Sequence, residues 1–234
     1  MGVYGYFNRP VYDDDTQIVK SWDIEQMRNC AHKFAFYEAN NERERGMAEC
    51  WVSEPENAKT ASYGMNWGYY YGLDEVKKFY LDPAKTANFV GGMIPMSSWV
   101  IEQSHEEENA QGIFYAIWYD IQNKGDEDEA YWYSAKIGID FVKEADGWKI
   151  WHYFMGVDVS VKAGESFGEQ KSTIEKDPNF VNPLQAYFGE PTIPVEEAYT
   201  TKYNWSHYPP LPTPHATYAE TTNCGPTGNP NYKG

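Results

Sequence analysis

Two long runs of alternating side chains, joined by a short turn, constrain the fold of this chain more than any other feature. Residues 130–144 read AYWYSAKIGIDFVKE, and residues 148–158 read WKIWHYFMGVD after the turn signal ADG. Successive side chains of a strand point to opposite faces, so this pattern predicts a long antiparallel hairpin. If Trp148 and Ile150 face a cavity, the same alternation predicts that His152 faces it as well.

The segments before the hairpin predict helices first and strands afterwards. Apolar residues at helical spacing predict a first helix over residues 21–41, capped by Ser21 or Asp23. ERERGMAECWV predicts a second short helix, and GLDEVKKFYLDPA predicts a third that starts after Gly72 and stops before Pro83. KTASYGMNWGYYYG predicts a strand or an extended loop, and SSWVIEQS and AQGIFYAIWYDIQ predict two strands. This order indicates an α+β fold, in which a curved antiparallel sheet is wrapped round N-terminal helices.

Composition divides the chain into three parts. Residues 1–21 are turn-rich and acidic and predict an N-terminal arm, and residues 22–163 predict the α+β domain. From residue 164 onward the chain is rich in Pro, Tyr and Thr. We therefore expect residues 164–234 to form an extended C-terminal arm that packs on the domain or on a neighbour, with its last dozen residues flexible.

The charge and residue content exclude several classes of function. The 234 residues carry a formal net charge of −16, which argues against nucleic acid or an anionic membrane surface as a partner. Aromatic residues make up 17% of the chain, with 20 Tyr, which suits a cavity or an interface. Metal-ligand spacings and phosphate-binding glycine motifs are absent from the sequence, so we expect no metal and no other cofactor. Three cysteines without a disulfide framework, and no apolar run of membrane-spanning length, favour a cytoplasmic location.

Three stretches resemble a known superfamily. They are FAFYEANNERERGMAECWV, YYYGLDEVKKFY and AKIGIDFVKEADGWKIWHYFMGVDVS. Together they resemble the nuclear transport factor 2-like superfamily, and within it the SnoaL-like group of polyketide cyclases and dehydratases. The resemblance implies an α+β barrel with a deep apolar cavity, no cofactor, and a dimer or trimer. The long hairpin followed by a Pro- and Tyr-rich arm also resembles a subset of cofactor-independent lyases that remove formaldehyde from lignin-derived diaryl compounds.

Four residues are candidates for catalysis in such a cavity. His152 is the candidate base, unless it is a core histidine bonded to a backbone carbonyl. Tyr37 and Glu38 match the adjacent tyrosine and aspartate of the family's scytalone dehydratases, whose two cavity histidines have no counterpart here. Glu38 is alternatively a solvated helix-end charge, and Tyr37 a lining residue. Lys136 is a catalytic candidate if it faces inward; on the outer face it would instead pair with Asp140.

Aromatic and amide side chains are candidates for binding a substrate. They could stack on an aromatic ligand or hydrogen-bond to it, or they could simply pack the core. Tyr115 and Trp118 lie three residues apart on one predicted strand, so only one of them can line the cavity. The candidates are Tyr63, Asn66, Trp67, Tyr115, Trp118 and Trp148.

Together with the resemblance, these residues predict a cofactor-independent lyase that acts on a hydroxylated aromatic small molecule, which the resemblance to the formaldehyde-removing subset implies is lignin-derived. The sequence does not distinguish between dehydration, which breaks a C–O bond, and deformylation, which breaks a C–C bond. An isomerase or cyclase that works through an enolate needs the same base. A third hypothesis is a binding or assembly protein without turnover, which a cavity filled by its own side chains would favour.

Overall fold

The computed structural model describes residues 14–83, 87, 89–123, 125–166, 189–195 and 208–232, with side chains described from residue 21 onward. The helices are α1 (Asp14–Ala39), α2 (Arg43–Cys50), α3 (Pro55–Thr60) and α4 (Leu73–Tyr80). The strands are β1 (Ser62–Met65), β2 (Gly68–Tyr71), β3 (Phe89–Met93), β4 (Met96–Gln103), β5 (Asn109–Asn123), β6 (Asp128–Glu144), β7 (Gly147–Lys162) and β8 (Ile193–Pro194). The predictions for residues 1–13 and for most of residues 164–207 lie outside the described residues.

The strands form one sheet in the order β3-β5-β6-β7-β1-β2-β8, and β4 also pairs with β5. β5, β6 and β7 form the predicted antiparallel meander. The sheet is not wholly antiparallel, because β1 runs parallel to β7. The two strands are far apart in sequence, so no hairpin turn imposes an antiparallel pairing on them. The α+β architecture with the sheet wrapped round the helices is confirmed.

The core lies between the inner face of the sheet and α1. Met27, Ala31 and Phe34 of α1 are buried there, as the helical spacing predicts. The ring of Phe34 packs edge-on against Trp51 and Tyr153, with centroids 5.9 and 5.6 Å away. One face of α1 therefore packs against the inner face of the sheet.

The first helix begins earlier than the sequence predicts. Ser21 and Asp23 lie inside α1 rather than at its cap. The carboxylate of Asp23 is buried, where it accepts a hydrogen bond from Gln103 (3.2 Å) and lies 3.5 Å from the ammonium of Lys143. The side chain of Asp23, predicted to cap the helix, therefore ties the helix to the sheet.

A β-bulge in β7 changes which side chains face the core. Phe141 pairs with Ile150 and Asp140 pairs with His152, so Trp151 is an extra residue in its strand. Ile150 and Tyr153 both belong to the core cluster, whereas His152 does not. The extra residue reverses the alternation, which places His152 on the outer face of the sheet.

The C-terminal segment 208–232 packs on that outer face. The ring of Tyr208 lies edge-on to Phe154, with centroids 4.7 Å apart. The expectation that the last dozen residues are flexible does not hold for residues 223–232, because Cys224 and Asn229 are buried. Cys224 lies close against the sheet, since a Cβ added at Gly138 would come within 2.6 Å of its sulfur.

Candidate functional site

An apolar cavity lies between α1 and the sheet. The cavity and its opening to solvent enclose about 650 Å³, of which about 50 Å³ is accessible to the centre of a water molecule. The lining residues are Phe34, Ala35, Glu38, Ala39, Arg43, Tyr63, Phe89, Gly92, Met93, Ile94, Met96, Trp118, Tyr119, Asp120, Tyr153 and Met155. Three of these side chains are charged, namely Glu38, Arg43 and Asp120, so each has a large effect on what can bind.

Glu38 places a carboxylate at the cavity wall. It is the next-to-last residue of α1, and the chain then reverses through Asn41, which adopts a left-handed conformation (φ 57°) that asparagine tolerates. This turn starts α2 at Arg43, whose guanidinium lies 3.0 Å from the Glu38 carboxylate. The hydroxyl of Tyr80, the last residue of α4, donates to the other carboxylate oxygen. The end of α1, the start of α2 and the end of α4 thus meet at the Glu38 carboxylate in the cavity wall.

Arg43 is buried and firmly held. Besides Glu38, it donates to the carbonyl oxygen of Tyr80 (3.4 Å). Its guanidinium also lies over the rings of Tyr80 and Phe89, 5.4 and 5.9 Å from their centroids. The cation is therefore fixed by the protein and points toward Glu38.

Two buried tyrosines, Tyr63 and Tyr153, line the cavity. Tyr63 of β1 and Tyr153 of β7 are partners in the parallel register, and their rings stack with centroids 4.8 Å apart. The side chains are 4% and 2% exposed. Burial, together with nearby charges, raises the pKa of both phenols, so at neutral pH they remain donors.

Asp120 of β5 adds a second carboxylate to the lining. Trp118 and Asp120 are two residues apart and therefore share the inner face of the strand. The amide of Gln122 donates to the Asp120 carboxylate at 2.9 Å. The described lining thus contains two carboxylates and one guanidinium.

The structure places Glu38, Tyr63 and Trp118 of the predicted site residues in the cavity wall. Tyr37 lies on the α1–α2 surface, where its hydroxyl bonds to Glu49; this hydrogen bond raises the pKa of the phenol. Tyr115 is on the outer face of the sheet and is 52% exposed. The placement of Tyr37 and Tyr115 in the cavity is therefore wrong.

Lys136 also lies on the outer face. Its neighbours in β6, Ala135 and Ile137, are fully buried in the core, so the lysine points away from it. Burial lowers the pKa of Lys136, and the carboxylate of Asp158, rather than the predicted partner Asp140, acts in the opposite direction. An inward-facing catalytic lysine is excluded by this geometry.

His152 is held in a polar cluster on the outer face. Its Nδ1 lies 2.8 Å from the carboxylate of Asp140, and its Nε2 lies 3.1 Å from the carbonyl oxygen of Thr60. A carbonyl oxygen only accepts, so Nε2 carries a hydrogen. Tyr218 and the backbone N–H of Cys224, both from the C-terminal segment, donate to the same Asp140 oxygen at 3.0 and 2.7 Å. The expectation that His152 faces the cavity is wrong, and the bulge at Trp151 is the reason.

The remaining predicted binding residues, Asn66, Trp67 and Trp148, are buried and contact other parts of the fold. Asn66 donates to the carbonyl of Val157 (2.9 Å) and accepts its N–H (2.8 Å), which joins the β1–β2 turn to β7. Trp67 and Trp148 are buried in the core, and Trp148 lies 5.8 Å from the ammonium of Lys143. None of these three predicted residues lines the cavity.

Sequence reasoning missed Arg43, Tyr80, Tyr153 and Asp120. Asp120 had a usable signal, because it shares a strand face with Trp118. Tyr153 had none, since the bulge inverts the pattern that would have identified it. Arg43 and Tyr80 reach Glu38 only through the packing of three helix ends, which a single sequence does not reveal.

The described residues contain neither a metal-binding cluster nor a membrane-spanning helix. Within the described ranges, no three or more His, Cys, Asp or Glu side chains are grouped so that they could hold a metal ion. Of the helices there, none is both long enough and apolar enough to cross a lipid bilayer.

Comparisons with known proteins identify the fold. No protein-family model and no curated protein matches the chain. A nuclear transport factor 2-like superfamily protein from Salmonella enterica serovar Typhimurium is 10% identical, with a TM-score of 0.51, over 63% of this chain and 99% of that one. A protein from Novosphingobium aromaticivorans, provisionally named a scytalone dehydratase, is 18% identical, with a TM-score of 0.50, over 65% and 93%.

A third solved structure is a hexachlorocyclohexane dehydrochlorinase, LinA type 2. It is 12% identical, with a TM-score of 0.50, over 65% of this chain and 95% of that one. At these identities the likeness concerns the fold. The chain has the nuclear transport factor 2-like fold that its sequence resembles.

Proposed function

We propose that this protein is a cofactor-independent lyase that uses general acid–base catalysis in the cavity between α1 and the sheet. The observation that carries the proposal is the combination of a carboxylate, Glu38, with two buried hydroxyls, Tyr63 and Tyr153, in one apolar cavity. His152, Tyr37 and Lys136 are not part of this proposal, because they lie outside the cavity. The substrate class is a small hydroxylated ring compound.

Glu38 is the proposed base. A carboxylate offers about four lone-pair positions, and Arg43 and Tyr80 occupy one on each oxygen. A lone pair therefore remains to take a proton from a substrate carbon. Tyr63 or Tyr153 then donates a hydrogen bond to the leaving oxygen, whose developing charge the phenol stabilises. In a dehydration the C–H and C–O bonds break and a C=C bond forms; the phenol passes its proton to the departing hydroxyl, which leaves as water, and the proton taken up by Glu38 returns to the phenolate.

The size of the cavity limits the substrate. An apolar cavity of about 150 Å³ holds a benzene ring, whereas about 50 Å³ is open here. A single ring therefore enters only if lining side chains move, and a two-ring diaryl compound needs far more space. Met93 and Met96 at the cavity are the side chains best suited to move, because methionine is unbranched and adaptable. The volume favours a one-ring substrate over the diaryl class.

The names of two structural neighbours supply a reaction class for this proposal. One is provisionally named a dehydratase and the other is a dehydrochlorinase, names that denote the loss of water and of hydrogen chloride. Both reactions are eliminations, which need a base and help for the leaving group. The cavity holds residues for both tasks.

The proposal is tested by incubating the purified protein, without added cofactor, with 1-(4-hydroxyphenyl)ethanol and related one-ring alcohols. We expect the alkene product by chromatography, and a decrease in kcat/KM of about 10²–10⁴-fold in Glu38→Gln, the usual contribution of a positioned acid or base. Glu56→Gln, on the exposed surface of α3, is the matched control and should stay within twofold. Turnover that survives Glu38→Gln within threefold would exclude this carboxylate as the base.

A binding protein without turnover is the second candidate. The small open volume favours it, because a cavity filled largely by its own side chains leaves little room for a reacting substrate. Saturable binding of benzyl alcohol, with no product from any alcohol in the panel, would establish this alternative.

A further inference from the structure

We propose that Glu38 also sets the specificity of the cavity: by occupying Arg43, it makes the cavity reject ligands that carry a carboxylate. This inference rests on the proposed function, which makes the cavity the ligand site. It predicts that a ligand of this cavity is neutral or positively charged.

Arg43 is the single cation among the described residues that line the cavity. Its guanidinium faces Glu38 at 3.0 Å, and only 5% of its side chain is exposed. A carboxylate ligand would have to compete with Glu38 for this cation. The protein carboxylate has the advantage, because α1 holds it in place and its association costs no translational entropy.

The rest of the cavity offers a carboxylate ligand little compensation. Its walls are mainly apolar, and removing an ionised carboxylate from water is costly unless the protein pairs it. The second lining carboxylate, Asp120, adds like charge to the same space. The hydroxyls of Tyr63 and Tyr153 can each donate one hydrogen bond to a ligand oxygen, but they carry no positive charge to pair with a carboxylate.

The same geometry predicts a change of specificity. In Glu38→Gln the guanidinium of Arg43 loses the Glu38 carboxylate but keeps its hydrogen bond to the Tyr80 carbonyl and its contacts with two rings. A benzoate in the cavity can then take the place of that carboxylate. The variant should therefore gain affinity for benzoate while it loses activity.

The test measures dissociation constants of benzyl alcohol and benzoate, which share one ring and differ in charge, by calorimetry at pH 7. On the native protein we expect benzoate to bind at least tenfold more weakly than benzyl alcohol. On Glu38→Gln we expect benzoate to bind at least tenfold more tightly than it binds the native protein. The control Glu56→Gln should match the native values, and Glu38→Gln/Arg43→Gln should lose the gain.

Each outcome separates this inference from the proposed function. Equal native affinities, or a Glu38→Gln variant with no gain for benzoate, overturn the inference and leave the lyase proposal standing. If neither compound binds, the cavity is not a ligand site and both proposals fail. If Glu38→Gln does not fold, the native affinity ratio decides alone: a ratio below tenfold overturns the inference.

Discussion

Replacing Asp140 with asparagine should loosen the C-terminal segment from the sheet. The Asp140 side chain is fully buried, and one of its oxygens accepts hydrogen bonds from Tyr218 and the Cys224 backbone at 3.0 and 2.7 Å and lies 2.8 Å from Nδ1 of His152. The other oxygen accepts the amide of Gln111 at 3.1 Å. Whichever way the asparagine amide turns, its NH₂ group faces at least one donor, so at least one bond is lost.

The expected loss of stability follows from these bonds. A hydrogen bond to a charged group contributes about 1.5–3 kcal/mol, and a buried donor left unsatisfied costs about 1–3 kcal/mol more. We therefore expect Asp140→Asn to lower the free energy of unfolding by about 3 kcal/mol. For a domain of this size, that corresponds to a decrease in Tm of about 6–12 °C.

Thermal unfolding followed by circular dichroism measures this decrease. Asp126→Asn, in the exposed β5–β6 turn, is the matched control and should change Tm by less than 2 °C. Below the variant's Tm, benzyl alcohol should bind within threefold of the native affinity, because the Asp140 cluster lies on the face opposite the cavity. A decrease in Tm of less than 2 °C would refute the stabilising role that we assign to this cluster.

Three further predictions concern the cavity and the outer face. Tyr63→Phe should weaken benzyl alcohol binding by about twofold to tenfold, the equivalent of one hydrogen bond, with Tyr115→Phe as an unaffected control; calorimetry that shows no change would contradict the role of this hydroxyl. Met93→Ala removes a half-exposed side chain from the lining and should tighten benzyl alcohol binding; weaker binding would contradict the size limit. Burial raises the pKa of Asp158 to about 6, so the folded state binds its proton more tightly and stability falls as pH rises from about 4 to 6. Asp158→Asn should therefore raise Tm at pH 7 and leave it unchanged at pH 4. After a reduction for solvent screening, the expected gain in the free energy of unfolding is about 1 kcal/mol, which corresponds to about 2–4 °C. An equal change in Tm at both pH values would contradict the pKa assignment.

Alternation along the strands predicted much of the fold. It identified the β6–β7 hairpin and the β5 strand, and the opposed positions of Tyr115 and Trp118 followed from it. The short α3 helix and the glycine-rich strand β3 were not predicted, because six residues and FVGGM give too little periodic signal. Local pattern therefore predicted the long elements and missed the short ones.

The site was predicted less well than the fold, for a physical reason. One extra residue, Trp151, moves His152 from the inner to the outer face, and nothing in the local sequence marks a bulge there. The partner that fixes His152 from the C-terminal segment, Tyr218, is 66 residues away along the chain. Glu38 was identified at the end of α1, but its partners Arg43 and Tyr80 are brought to it by tertiary packing.

Both proposals require that ligands bind between α1 and the inner face of the sheet, and not beside His152. A crystal structure of the full chain soaked with benzyl alcohol shows where the ring binds. We expect the ring in the cavity, with its oxygen within hydrogen-bonding distance of Tyr63 or Tyr153 and with Met93 or Met96 displaced. A ring bound on the outer face beside Tyr218 and His152, with the cavity unchanged, would contradict it.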